Sequence, residues 1–143
     1  MTYCTKQDLI DRFTELELIQ LTDKANMPPS LIDDVPVDRA LSDAAALIDG
    51  YLGKLYRLPL SVVPPILTKM SADISRYFLY GKSAEKDDAV QRAYADAITW
   101  LTNVSKGLIT IDAEGVAPAQ AGGGQVQMKA PSRVFSRDSL RNA

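Results

Sequence analysis

An all-α fold, a small bundle of four to five helices, is what this sequence predicts, and three observations predict it. Apolar residues recur at three-four spacing over 37–55, 66–78 and 90–104, the period of a helix with one buried face. Breaks carrying proline or glycine separate those stretches: Met27-Pro-Pro-Ser30, Tyr56-Arg-Leu-Pro-Leu60 and Gly81. Past residue 111 the pattern stops, and Gly115-Val-Ala-Pro-Ala-Gln-Ala-Gly-Gly-Gly124 follows, a composition unable to bury enough apolar surface to offset its ordering entropy.

Taken in order, Thr5-Lys-Gln-Asp8 places a hydroxyl three residues before a carboxylate, a capping-box start with Asp in place of Glu. Leu9, Ile10 and Phe13 then form one apolar face, and Leu16, Leu18, Ile19 and Leu21 add a second helical stretch. Asp33 and Asp34 stand before a helix that Pro36 can begin, because a missing N–H costs nothing in a first turn. They read as caps and dipole partners rather than half of a metal or acid/base pair. That helix buries Val37, Ala40, Leu41, Ala44, Ala45, Ile48, Tyr51, Leu52 and Leu55, with close packing or local unwinding as the expected reason for Gly50 and Gly53. The next opens at Pro64-Pro65, is lined by Ile66, Leu67, Met70, Ile74, Tyr77 and Phe78, and stops at Gly81, where a left-handed residue is wanted. Ser83 is the expected cap of the last helix, with Glu85, Asp87 and Asp88 in its first turns. Val90, Tyr94, Ala97, Ile98, Leu101 and Val104 form its stripe, Trp100 lies beside it, and Lys106-Gly107 closes it. Leu108-Ile-Thr-Ile111 has the β-branched composition of a short strand, and Asp112-Ala-Glu-Gly115 that of a turn.

This divides the 143 residues into a helical body over 1–111, a flexible Gly/Ala/Pro linker over 112–130 and a C-terminal segment over 131–143. The segment is specific again: Val134-Phe-Ser-Arg-Asp-Ser-Leu-Arg141 sets large apolar side chains between arginines. It reads as a docking peptide on a tether; the other reading is a disordered terminus without a role.

Charge sharpens the contrast. Residues 1–115 carry 12 Lys/Arg against 17 Asp/Glu, a net −5, while 116–143 carry four cations against Asp138, a net +3. An acidic body is a poor grip for a phosphate backbone, and the basic tail lacks interleaved aromatic rings. A small DNA-binding regulatory protein is therefore disfavoured. The chain has no histidine, which removes Ser-His-Asp triads, Cys-His dyads and most transition-metal sites. Cys4 is the sole cysteine, so no intramolecular disulfide forms. Asp33 and Asp34 are too few for a metal-dependent nuclease, and Glu85-Lys-Asp-Asp88 is a solvated helix start. Gly122-Gly-Gly124 lacks the Lys-Ser/Thr of a phosphate loop. The aromatic side chains, Tyr51, Tyr56, Tyr77, Phe78, Tyr80, Tyr94 and Trp100, fall mostly on the apolar faces and read as core, not as a base-stacking platform. No catalytic, cofactor-binding or metal-binding residue is assigned. No apolar run approaches the roughly 18 residues needed to cross a bilayer, and Lys6, Asp8, Asp11 and Arg12 interrupt any signal-peptide pattern. Residence in the host cytoplasm until assembly is the expectation.

Several segments in order carry a resemblance: Ala45-Ala-Leu-Ile-Asp-Gly-Tyr-Leu-Gly-Lys-Leu-Tyr-Arg-Leu-Pro-Leu60, Val63-Pro-Pro-Ile-Leu67, Ala72-Asp-Ile-Ser-Arg-Tyr-Phe-Leu-Tyr-Gly81, Ala97-Ile-Thr-Trp-Leu101 and the ending Val134 to Arg141. Together they resemble the head–tail connector family of Mu-like phages and prophages, over nearly the whole chain. The resemblance implies a structural, non-enzymatic virion protein of the neck, without cofactor. It implies self-association into a ring, usually of twelve copies, beneath the portal protein and joined to the next neck or tail protein. Packaged DNA would pass through the lumen without specific binding, and acidic walls would keep it from sticking. In that setting Val134, Phe135 and Leu140 are expected to fill apolar pockets on the portal while Arg137 and Arg141 pair with acidic groups there. A neck stopper or tail-terminator is the nearest alternative.

Overall fold

A capping box starts the first helix as its local sequence dictates. The Thr5 hydroxyl accepts from the Asp8 amide at 3.2 Å and the Asp8 carboxylate accepts from the Thr5 amide at 2.8 Å. The computed structural model describes residues 2–86 and 88–113. Among these residues five α-helices form: α1 (Lys6–Phe13), α2 (Glu15–Thr22), α3 (Asp34–Leu52), α4 (Pro65–Tyr80) and α5 (Asp88–Ser105), with a 3₁₀ segment, Gly81–Lys86, between the last two. The fold is all-α. The linker and C-terminal segment read from composition lie outside the described residues, except that Asp112 and Ala113 are described with the body and Ala113 is buried.

Thr14 both ends α1 and caps α2, accepting from the Glu17 amide at 3.4 Å. It does so with φ at 78°, a conformation a β-branched residue rarely adopts. Asp33 caps α3 through the Val35 amide at 3.0 Å, and Asp34 forms an ion pair with Lys6. Pro36 stands in the first turn, where its missing donor is harmless. Both carboxylates thus serve helix starts.

The chain reverses between α3 and α4: Ser75 near the end of α4 donates to the Ala40 carbonyl near the start of α3. α5 returns antiparallel along both, and the Tyr56 hydroxyl accepts from the Ile111 amide at 2.8 Å. The main core lies among these three helices, centred on Ile48, Leu52, Leu67, Ile74, Leu101 and Val104. A second, smaller core joins α1 and α2 to the other side of α3 and α4 through Cys4, Leu9, Leu18, Val37, Leu41 and Ala72. α4 sits between the two, which is why Ser71, Ala72, Asp73 and Ser75 are buried along with its predicted apolar face.

The structure corrects the sequence reading at several points. No strand forms over 108–111; Ile109 and Ile111 instead pack on the main core with no neighbouring strand to pair. Ser83 lies inside the 3₁₀ segment and not at the start of α5, which begins at Asp88. Ile66 faces outward in the first turn of α4. Leu55 falls beyond the end of α3. A side chain at Gly50 would meet nothing within 4 Å, so close packing does not explain it, whereas one at Gly53 would meet the Asp49 carbonyl at 3.0 Å.

Candidate functional site

The five predicted docking residues, Val134, Phe135, Arg137, Leu140 and Arg141, lie outside the described residues. What the structure does describe is the surface to which other molecules have access. Two features that sequence reasoning missed organise it.

The first is a polar clamp between α2 and α4. Arg76 donates to both oxygens of Glu17, at 2.6 and 3.1 Å, and the Tyr80 hydroxyl donates to the same carboxylate at 3.1 Å. The guanidinium also lies over the Phe13 ring at 4.6 Å and the Tyr80 ring at 5.6 Å, a fork-and-face arrangement suited to arginine. Burial pulls the Arg76 pKa down, but the Glu17 hydrogen bond and charge outweigh it and leave it raised. These are residues 59 to 63 apart in sequence, so no local signal exposes the pairing.

The second is the loop from Asp23 to Asp33. The Asp23 carboxylate accepts from the amides of Ala25, Asn26, Ser30 and Leu31 and from the Asn26 side chain, at 2.9 to 3.2 Å. Those bonds hold its carboxyl well below the usual range, the Ser30 amide contributing most. With its backbone satisfied in this way, the loop presents Met27, 97% exposed, and Leu31, 69% exposed, to the outside.

Exposed large apolar side chains among the described residues fall into two groups. Leu16, Met27, Leu31 and Val35 belong to α2, the α2–α3 loop and the first turn of α3. Beside them, Ile10, Glu15, Leu31 and Ile32 line a groove of about 580 Å³ that Lys6, Gln7 and Ser30 complete. Val62, Ile66 and Leu108 form the other group. They belong to the α3–α4 loop, the start of α4 and the segment after α5, which is the opposite end of the bundle. The hint in the sequence was phase: Val35 and Leu31 stand off the stripe that begins at Val37.

A second cavity, about 550 Å³, opens between α2, α3 and the end of α4 over Leu21, Ala40, Phe78 and Leu79. Its rim carries Asp33 and Asp43 but also Lys24 and Arg39, so no concentrated field of one sign gathers there. The aromatic residues behave largely as framework. Tyr77 and Tyr94 stack at 4.0 Å between α4 and α5, and Tyr56 is buried. Burial, then the neighbouring Tyr77 and Tyr51, push the Tyr94 hydroxyl up. Among the described residues no group of three or more His, Cys, Asp or Glu is placed to hold a metal ion, and no helix is long and apolar enough to cross a membrane.

Comparison with known proteins follows the same chain. The family model described as Bacteriophage Mu, Gp36 matches residues 3–130. The chain is 33% identical over 138 residues to Gene product J of Escherichia phage Mu, covering 96% of each. It is 37% identical over 110 residues to the Mu-like prophage FluMu protein gp36 of Haemophilus influenzae, covering 76% of this chain and 74% of that one.

Proposed function

We propose, from the premise that this chain belongs to the Bacteriophage Mu Gp36 family, that it is a structural neck subunit: a head–tail connector that assembles as a ring beneath the portal and joins the DNA-filled head to the tail. The observation that carries this reading is the surface of the body, an acidic helical bundle with exposed apolar side chains at both ends. A subunit that spends its life between two neighbours needs such ends, because contiguous exposed apolar surface marks interaction sites. The basic, apolar segment over 131–143 supplies a further contact in this reading, with Phe135 and Leu140 as anchors and Arg137 and Arg141 as charged partners for the portal. Ordering such a segment costs several kcal/mol, so the anchors must be well buried when bound.

The test is to mix the purified chain with the portal protein encoded by the same genome and image the particles by negative-stain electron microscopy. The expected result is an added ring on the tail-facing end of the portal. Bare portals at high subunit concentration would overturn the adaptor role and move the protein down the neck, to a stopper or tail-terminator.

A further inference from the structure

The two exposed apolar groups differ in charge as well as position. Residues 5–39, which build the α1, α2 and early α3 end, carry eight Asp/Glu against four Lys/Arg. Residues 53–69 and 101–111, which build the other end, carry Lys54, Arg57, Lys69 and Lys106 and not one carboxylate. α3 runs between the ends; its 19 residues separate them by about 28 Å. Their shapes differ too. The acidic end holds the groove between α1 and residues 30–32, floored by Ile10 and Ile32. The basic end holds Leu108, 74% exposed directly after Gly107, whose φ of 74° turns the chain outward from α5.

We propose that these ends are the two halves of one heterologous contact between copies of this chain: the basic apolar end of one copy, led by Leu108, seats in the acidic groove beside Leu31 of the next. Apolar surface faces apolar surface, and Lys54 and Arg57 meet the carboxylates flanking the groove, Glu15 and Asp38 among them. A contact joining different patches propagates head to tail, and it closes into a ring when the rotation between copies allows. Like-charge rejection disfavours acidic end on acidic end or basic on basic, which fixes the direction. The ring itself rests on the function proposed above; the contact does not, and it is testable without a portal.

The test uses the full chain with one added cysteine, either Leu31→Cys or Leu108→Cys. Both positions are exposed, so neither change empties the core. Native Cys4 is buried, and burial with the nearby Asp8 charge pushes its thiol up to about 12, which keeps it out of the reaction. Under mild oxidation the mixed pair should form a disulfide-linked dimer while each variant alone forms little. Reversing charge on one end (Lys54→Glu with Arg57→Glu) should weaken the mixed contact about tenfold or more, and adding Glu15→Lys with Asp38→Lys on the partner should restore it. Efficient linkage within Leu31→Cys alone or Leu108→Cys alone would mean a symmetric contact and overturn the proposal. No linkage at the highest soluble concentration would overturn it as well. So would a Leu31→Cys thiol shielded from a small reagent in the dilute monomer, since the chain's own C-terminal segment would then fill the groove. A portal mixture that fails while the mixed pair still links would count against the neck position only.

Discussion

Asp23 shows what one residue contributes when its chemistry matches a loop's needs. Its carboxylate gathers four backbone amides that no helix would otherwise satisfy. Its folded pKa lies below the unfolded value, so the stability it confers is present above that value and drains as pH falls through it. Melting temperature should therefore decline from about pH 5 downward. Asp23→Asn should flatten that acid limb while lowering the neutral-pH plateau, which a thermal series across pH would read. Arg76 is the other such residue. Arg76→Ala leaves Glu17 half-buried without its fork and strips contact from Phe13 and Tyr80. The expected cost is about 2 kcal/mol, seen as a lower urea midpoint with an unchanged slope. Ser71 points the other way: its hydroxyl is buried and finds no hydrogen-bond partner among the described residues. Ser71→Ala should therefore be neutral or stabilising by about 1 kcal/mol in the same assay.

At the level of the element, legibility tracks how local the determinant is. The capping box at Thr5 and Asp8, the Asp33 cap and the proline start of α4 all act within three residues, and each was readable. Gly81 was readable for the same reason; it holds φ at 52° after the last turn of α4. Ser83 misled because its spacing to Asp87 and Asp88 suits a cap, yet the chain needs a 3₁₀ segment there to carry α4 across to α5. Glycines inside one helix also separate by context. Gly50 is exposed with open space around it, so Gly50→Ala should stabilise α3 by about 0.5–1 kcal/mol. Gly81→Ala should destabilise by about 1–2 kcal/mol because its conformation suits no side chain. Circular-dichroism melts of the two variants should move in opposite directions.

For the whole molecule, the two cores explain why α4 is buried on more than one face and how α1 and α2 are held to the three longer helices. Removing residues 131–143 touches neither core. The truncated chain is expected to keep its helical signal and melting temperature while losing attachment to the portal. Normal attachment after truncation would leave the segment without its proposed role. That measurement, unlike the mixed cysteine pair, bears on the neck and not on contacts between copies.

The sequence by itself determined the fold class, most of the helix bounds and the placement of Val37, Ile48, Leu67, Leu101 and their stripe-mates in the core, because periodicity and capping act over one or two turns. It also carried the family, since an ordered set of segments runs the length of the chain. Only the tertiary structure decided that Ile109 and Ile111 pack on helices rather than pair as a strand. It alone joined Arg76 to Glu17 across 59 residues, and it alone set an acidic apolar groove at one end and a basic apolar end at the other. Those facts depend on which helices meet and in which direction, and that is settled by packing two cores about α4, not by any window of neighbouring residues.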